Sequence, residues 1–142
     1  QRLSIITLGV KNIDQSKAFY NALGWTPVNN SSDENIVAYN LNNMTLALYP
    51  IDKLYEDIGQ EPPKINRPSF SLAYNVHQES DVDLTLKEAE KAGGKIIKPA
   101  QKVFWGGYSG YFSDPNNYLW EVAFNPFSPL GKNGSFQWSE SP

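Results

Sequence analysis

The stretch YFSDPNNYLWEV, residues 111 to 122, carries two apolar runs on either side of Asp114-Pro115-Asn116-Asn117. Asp and Pro set a tight turn, and Asn117 tolerates the left-handed backbone that such a turn asks for. The flanking runs, Gly107 to Ser113 and Tyr118 to Phe124, therefore read as two strands of one hairpin. Glu121 is the only acid in the second run, among Tyr118, Leu119, Trp120, Val122, Ala123 and Phe124. A carboxylate in that setting is a metal ligand, a catalytic base, a partner for a buried donor, or a side chain on a solvated face.

Working back from the hairpin, Lys95 to Val103 reads as a strand and Asp81 to Ala92 as a helix ended by Gly93-Gly94. Ser69 to Val76 alternates Phe70, Leu72, Tyr74 and Val76 against smaller residues, the period of a strand. This half reads βαβββ. The first half repeats the order. Leu3 to Val10 is a strand; Asn12 or Asp14 caps a helix carrying Ala18, Phe19, Ala22 and Leu23 and stopped by Gly24. Strands follow at Trp25 to Val28, Glu34 to Leu41 and Met44 to Tyr49, with Asn29 to Asp33 and Asn42-Asn43 as turns. Pro50, Pro62, Pro63 and Pro68 mark a connector over 50 to 68, with a short helix near Asp52 to Ile58. A repeated unit of this kind predicts two modules that pack their sheets together, since neither alone buries enough surface. Module one spans about 1–58 and module two about 69–126 of a single domain, 1–126. Residues 127–142 (FSPLGKNGSFQWSESP) form an irregular tail that can dock through Phe136 or Trp138.

Composition removes several classes of function. Twelve Lys plus Arg against 15 Asp plus Glu give a net charge of −3 with no basic run longer than a pair, so a nucleic-acid backbone is not an expected partner. The absence of cysteine excludes disulfides and thiolate chemistry. No run approaches the roughly 18 apolar residues of a membrane span, and residues 1 to 10 lack a signal-peptide pattern, so the expectation is a soluble, cytoplasmic protein. The sequon Asn30-Ser31-Ser32 carries no weight without a secretion signal. Aromatic residues make up 13% of the chain, a supply of rigid rings that suits cores, interfaces and ligand sites alike.

Four segments, LGVKNIDQSKAFYNALGW at 8 to 25, FSLAYNV at 70 to 76, EAEKAGGKI at 88 to 96 and YFSDPNNYLWEV at 111 to 122, resemble the vicinal oxygen chelate superfamily. That family includes glyoxalase I, extradiol dioxygenases, and fosfomycin- and bleomycin-resistance proteins. The resemblance implies an α+β fold: two βαβββ modules forming a curved mixed sheet around an open ligand cup, with helices on the outer face. It also implies four metal-ligand positions, which fall here on Ile5, on Ala47 or Tyr49, on Ser69 and on Glu121. No Asp or Glu occurs from Asn35 to Ile51, so a small register error does not restore the second ligand. The single histidine, His77, lies eight residues from Ser69, about 26 Å along an extended strand. A divalent metal usually needs three or more protein ligands, so no cofactor is expected.

The face that holds those positions would present Thr7, Tyr49, Ser69, Ser71, Trp105, Tyr111 and Glu121 to a ligand, with Glu121 also the catalytic candidate. Its counterpart face, Ile6, Leu8, Val10, Met44, Leu46, Leu48, Phe70, Leu72, Tyr74, Trp120 and Val122, would pack under the helices. The stretch Phe104 to Tyr111 (FWGGYSGY) reads either as a hairpin whose glycines allow positive φ or as a slot walled by Trp105 and Tyr111 for a flat ligand. Ser109 has no histidine nearby in sequence to activate it. The leading expectation is metal-independent binding of a small, partly aromatic or cationic molecule, as in the bleomycin-resistance branch, by a homodimer. The alternative is a lyase, isomerase or dioxygenase of the glyoxalase I or extradiol type with Glu121 as base or metal ligand. A third reading makes Glu121 structural, bonded to Tyr or Ser hydroxyls.

Overall fold

Branched and aromatic residues in alternation build the strands, and a computed structural model describes them over residues 1–28, 35–64 and 69–139. The expectations for Asn29 to Asp33, for Glu34, for the sequon at Asn30 and for Pro68 lie outside the described residues. The chain divides into two compact units, Gln1–Asn66 and Arg67–Pro142.

In the first unit, β1 (Ile5–Val10), α1 (Ile13–Ala22), β2 (Val37–Leu41), β3 (Met44–Pro50) and α2 (Ile51–Ile58) follow in order. The sheet runs β1-β3-β2, with β1 parallel and β2 antiparallel to β3. Leu41 pairs with Met44, so Asn42-Asn43 is the whole hairpin loop, and Asn43 takes φ 65°. Asn12 caps α1 by accepting a hydrogen bond from the Gln15 N–H at 2.9 Å. The buried side of α1 is Ser16, Phe19 and Tyr20, whereas Ala18 and Ala22, expected on that side, are exposed. Ring packing decides this: Tyr20 meets Trp25 at 5.4 Å and Tyr39 at 5.8 Å, an apolar gain no alanine supplies. The Tyr39 hydroxyl donates to Asn21 Oδ1 at 3.0 Å and so ties β2 to the helix.

Trp25 to Val28 does not form the expected strand. Pro27 has no N–H to give to a ladder, and only Val28 N–H reaches across, to the Ala38 carbonyl at 2.8 Å. Trp25 is held by its N–H on the Tyr20 carbonyl at 3.1 Å and by its ring against Tyr20 and Tyr39. The helix α2 packs on β1 and β3 and meets Gly9, where a β-carbon would lie 3.1 Å from Ile51 Cγ1 and 3.3 Å from Leu54 Cδ2. Gly9 is thus the close-approach point that lets α2 rest on the Ile5, Thr7 and Gly9 side of β1.

In the second unit, β4 (Ser71–Asn75), α3 (Glu79–Lys91), β5 (Lys95–Lys102), β6 (Tyr108–Ser113) and β7 (Leu119–Phe124) form a sheet in the order β4-β7-β6-β5. The pair β4 and β7 is parallel, and the other two pairs are antiparallel. The face of α3 made by Val82, Leu86 and Ala89 is buried against β5, β6 and β7, at helical spacing. Gly110 allows the close seat, since a β-carbon there would sit 2.7 Å from Leu86 Cδ1. Phe112 and Trp120, register partners on that face, stack with centroids 6.1 Å apart. The edge strand β5 carries Pro99, and its register with β6 shifts on either side of Lys98.

The expectation that Phe70 and Tyr74 lie under a helix is not met: they are 47% and 43% exposed. Both belong to the edge at β4, whereas α3 covers the other three strands. Beyond Phe124 the described residues, 125–139, form turns and no helix or strand. This tail is held by the Ser139 N–H donating to Ser128 Oγ at 3.1 Å, while Trp138 is 79% exposed and touches Phe136 edge-on.

Candidate functional site

The turn expected from Asp-Pro-Asn-Asn forms as read. Asp114 Oδ1 accepts from the Asn116 and Tyr118 N–H groups at 2.8 and 2.9 Å, and Asn117 takes φ 65°. This buried carboxylate is spent on closing the loop, which fixes the register of β6 on β7. Ser113 then faces Leu119, and two residues further back on each strand Tyr111 faces Glu121.

Glu121 and Tyr111 consequently project from the same face, and the Tyr111 hydroxyl donates to Glu121 Oε2 at 3.1 Å. Both side chains are half-buried, within reach of solvent. Burial first, then the negative charge of Glu121, then the hydrogen bond itself push the Tyr111 phenol above its ordinary pKa of 10.0. It stays a donor through the neutral range. The sequence reading placed both residues on one face without pairing them. The signal was the loop, because its length together with strand parity sets which residues meet.

On the other side of β7, Ala73 of β4 is the register partner of Glu121, and Ser71 lies diagonally from it. Ser69, carried over from the family pattern, precedes β4 and sits four residues before Ala73. That is about 13 Å along an extended chain, so Ser69 is not brought beside Glu121. His77 is exposed in the turn between β4 and α3.

Trp105 occupies a tight hairpin between β5 and β6, closed by the Val103 N–H on the Gly107 carbonyl at 3.0 Å and the Gly106 N–H on the Val103 carbonyl at 3.0 Å. Gly106 takes φ 97°, and a β-carbon on Gly107 would clash with the Trp105 ring. The two glycines therefore have separate causes, one of backbone conformation and one of space for the indole. Gly107 lies four residues before Tyr111, about 13 Å along the strand, with Ser109 between them on the same face. Ser109 pairs with Ala123, so small side chains separate the indole from the hydroxyl and carboxylate pair.

Of the residues expected from the first module, Thr7 pairs with Ala47 and is exposed, and Tyr49 pairs with Gly9 and is half-buried. Ile5, at the first family ligand position, is 56% exposed and pairs with Thr45. The donors at the family positions are an isoleucine, an alanine or tyrosine, a serine and one glutamate. That set does not fit a divalent cation. Among the described residues, no group of three or more His, Cys, Asp or Glu could hold a metal ion.

A first unit of order β-α-β-β-α and a second of order β-α-β-β-β, with an acid on the last strand, make up the described fold. The chain belongs to the glyoxalase/bleomycin resistance protein/dioxygenase superfamily, whose family model matches residues 2–122. It is similar to a glyoxalase-related enzyme from Fulvimarina pelagi at 35% identity and TM-score 0.90, covering 98% of this chain and 99% of that one. A glyoxalase/bleomycin resistance protein/dioxygenase family enzyme from Burkholderia phytofirmans PsJN shares the fold at 19% identity and TM-score 0.76, over 87% of this chain and 98% of that one. A lactoylglutathione lyase from Agrobacterium tumefaciens does so at 18% identity and TM-score 0.66, over 88% and 94%. Comparison with curated proteins gives no match.

Proposed function

We propose that this protein binds a small, partly aromatic, cationic or hydrogen-bond-donating molecule without a metal, through the face of its second sheet that carries Glu121, Tyr111 and Trp105. The observation behind this reading is the half-buried Glu121 carboxylate, held at one oxygen by Tyr111 and flanked by small residues. A carboxylate so placed accepts a charge-assisted hydrogen bond, and the indole supplies a flat apolar surface for an adjoining ring. Ser71, on the same sheet and diagonal to Glu121, is the further ligand contact proposed. The proposed assembly is a homodimer and the proposed compartment the cytoplasm. Calorimetric titration with amine-bearing aromatic compounds should detect binding, and Glu121→Gln should weaken it by about tenfold, the size expected for a charge-assisted contact. Binding that ignores the substitution would sink the assignment.

A second reading is an enzyme in which Glu121 is a general base or a metal ligand, supported by the name of the 35% identical relative, a glyoxalase-related enzyme. Turnover of a glyoxalase-type substrate that a chelator abolishes would favour it. Turnover indifferent to chelator but lost in Glu121→Gln would favour a metal-free base.

A further inference from the structure

Across the second sheet, the row through Glu121 runs Ala73, Glu121, Tyr111, Lys98, because Tyr111 is the register partner of Glu121 on β7 and of Lys98 on β5. Lys98 owes that place to an irregularity in β5. Ile96 pairs with Phe112, on the face covered by α3, and plain alternation would put Lys98, two residues on, on that same face. The register instead shifts between Ile96 and Lys98, so that Lys98 meets Tyr111, and shifts again before Gln101, which meets Ser109. An extra residue of this kind re-aims a side chain. Here it turns an exposed lysine away from the helix and toward the face of Glu121.

Among the described residues Lys98 makes no ion pair, whereas Lys102, opposite Tyr108 on the helix face, meets Glu79 at 3.6 Å. Two strand spacings put the Lys98 and Glu121 backbones about 10 Å apart, with Tyr111 between them. That is about one Debye length at 0.1 M salt, so the two charges stay largely independent. We propose that Lys98 is an anion-binding end of this face and that the molecule bound there is zwitterionic, its cationic group on Glu121 and a carboxylate on Lys98. This rests on the ligand-binding reading of the same face and adds to it a second charge at a set distance. A rigid aromatic spacer that holds the two groups within about two strand spacings, about 10 Å, reaches both. A plain amine uses Glu121 alone.

The experiment titrates phenethylamine and 4-(2-aminoethyl)benzoic acid, which differ only by the ring carboxylate, against wild type, Lys98→Met, Lys102→Met and Glu121→Gln. The expected result is a ratio of carboxylated to plain amine affinity that falls about fourfold in Lys98→Met, the scale of one exposed ion pair. The ratio should keep its wild-type value in Lys102→Met, which removes the same charge from the other face. In wild type it should also decline as salt is raised. A ratio unchanged in Lys98→Met, or lowered as much in Lys102→Met, overturns the role of Lys98, and the binding reading stands if Glu121→Gln still weakens both probes. Failure of both probes to bind wild type, or indifference to Glu121→Gln, overturns both.

Discussion

A phenol and a carboxylate that face each other across two strands share one proton donor, and the charge of each is felt by the other. Because burial is the largest cause of the raised Tyr111 pKa and the Glu121 charge the next, the two can be separated by substitution. In Glu121→Gln the Tyr111 phenol should titrate at a lower pH than in wild type, yet above 10.0, since burial remains when the charge is gone. Ultraviolet absorbance of the tyrosinate, compared with a Tyr111→Phe background to isolate this residue, measures the difference. No change would mean that the pair is not formed in solution. At this scale the sequence revealed the solitary acid and the rings near it, but not the bond. Which hydroxyl meets which carboxylate depends on register, and register depends on how Asp114 closes its loop. Ser69 lies two residues before β4 begins at Ser71, and a family position carried along the sequence does not fix where a strand begins.

Among the elements, long periodic segments were legible and short ones depended on a single residue. The helix α3 and the strands β6 and β7 lie within two residues of the spans read from periodicity, because their apolar spacing and the Gly93-Gly94 and Asp-Pro punctuation agree. Trp25 to Val28 failed because one proline removes a ladder donor, and a side-chain pattern does not register a missing N–H. The buried side of α1 was misjudged because size outweighs hydrophobic class: a tyrosine ring filling the space beside Trp25 and Tyr39 displaces two alanines from the interface. Tyr39 gives this contact a pH dependence. Burial pushes its phenol up to about 12 from 10.0. Below pH 10.0 the proton is held in both folded and unfolded chains, and the contribution of the phenol to stability is fully present. Between 10.0 and about 12 the unfolded phenol ionises while the folded one does not, so stability falls as pH rises through that window. Tyr39→Phe should cost about 1 kcal/mol at neutral pH, through the lost bond to Asn21, and should flatten the alkaline decline. Urea denaturation across the pH series reads both effects, and an unaltered alkaline slope would remove Tyr39 as its source.

For the whole molecule, the repeat of module order and the resemblance carried by four short segments were enough to anticipate the family. The covering of each sheet was not, because helices cover what they reach and edges are left to other partners. In the first unit β1 is an edge strand, and Leu3 and Ile5 beside it are 58% and 56% exposed. In the second unit β4 is an edge strand, and Phe70 and Tyr74 are 47% and 43% exposed. Edges of this kind are usually blunted by charge, proline or a covering element, and Ser69 to Asn75 contains no Lys, Arg, Asp, Glu or Pro. A second copy of the chain set against β4 would pair with that edge and cover Phe70 and Tyr74, provided the contact reaches the roughly 800 Å² per partner of a stable interface. Under the proposed homodimer, sedimentation velocity at micromolar concentration should give a single species of about twice the 16.0 kDa chain mass. Tyr74→Glu, which places a charge on the half-exposed edge strand, should shift that species toward monomer by tenfold or more in dissociation constant. A wild-type chain that sediments as a monomer would overturn the dimer. A dimer insensitive to Tyr74→Glu would move its interface away from β4.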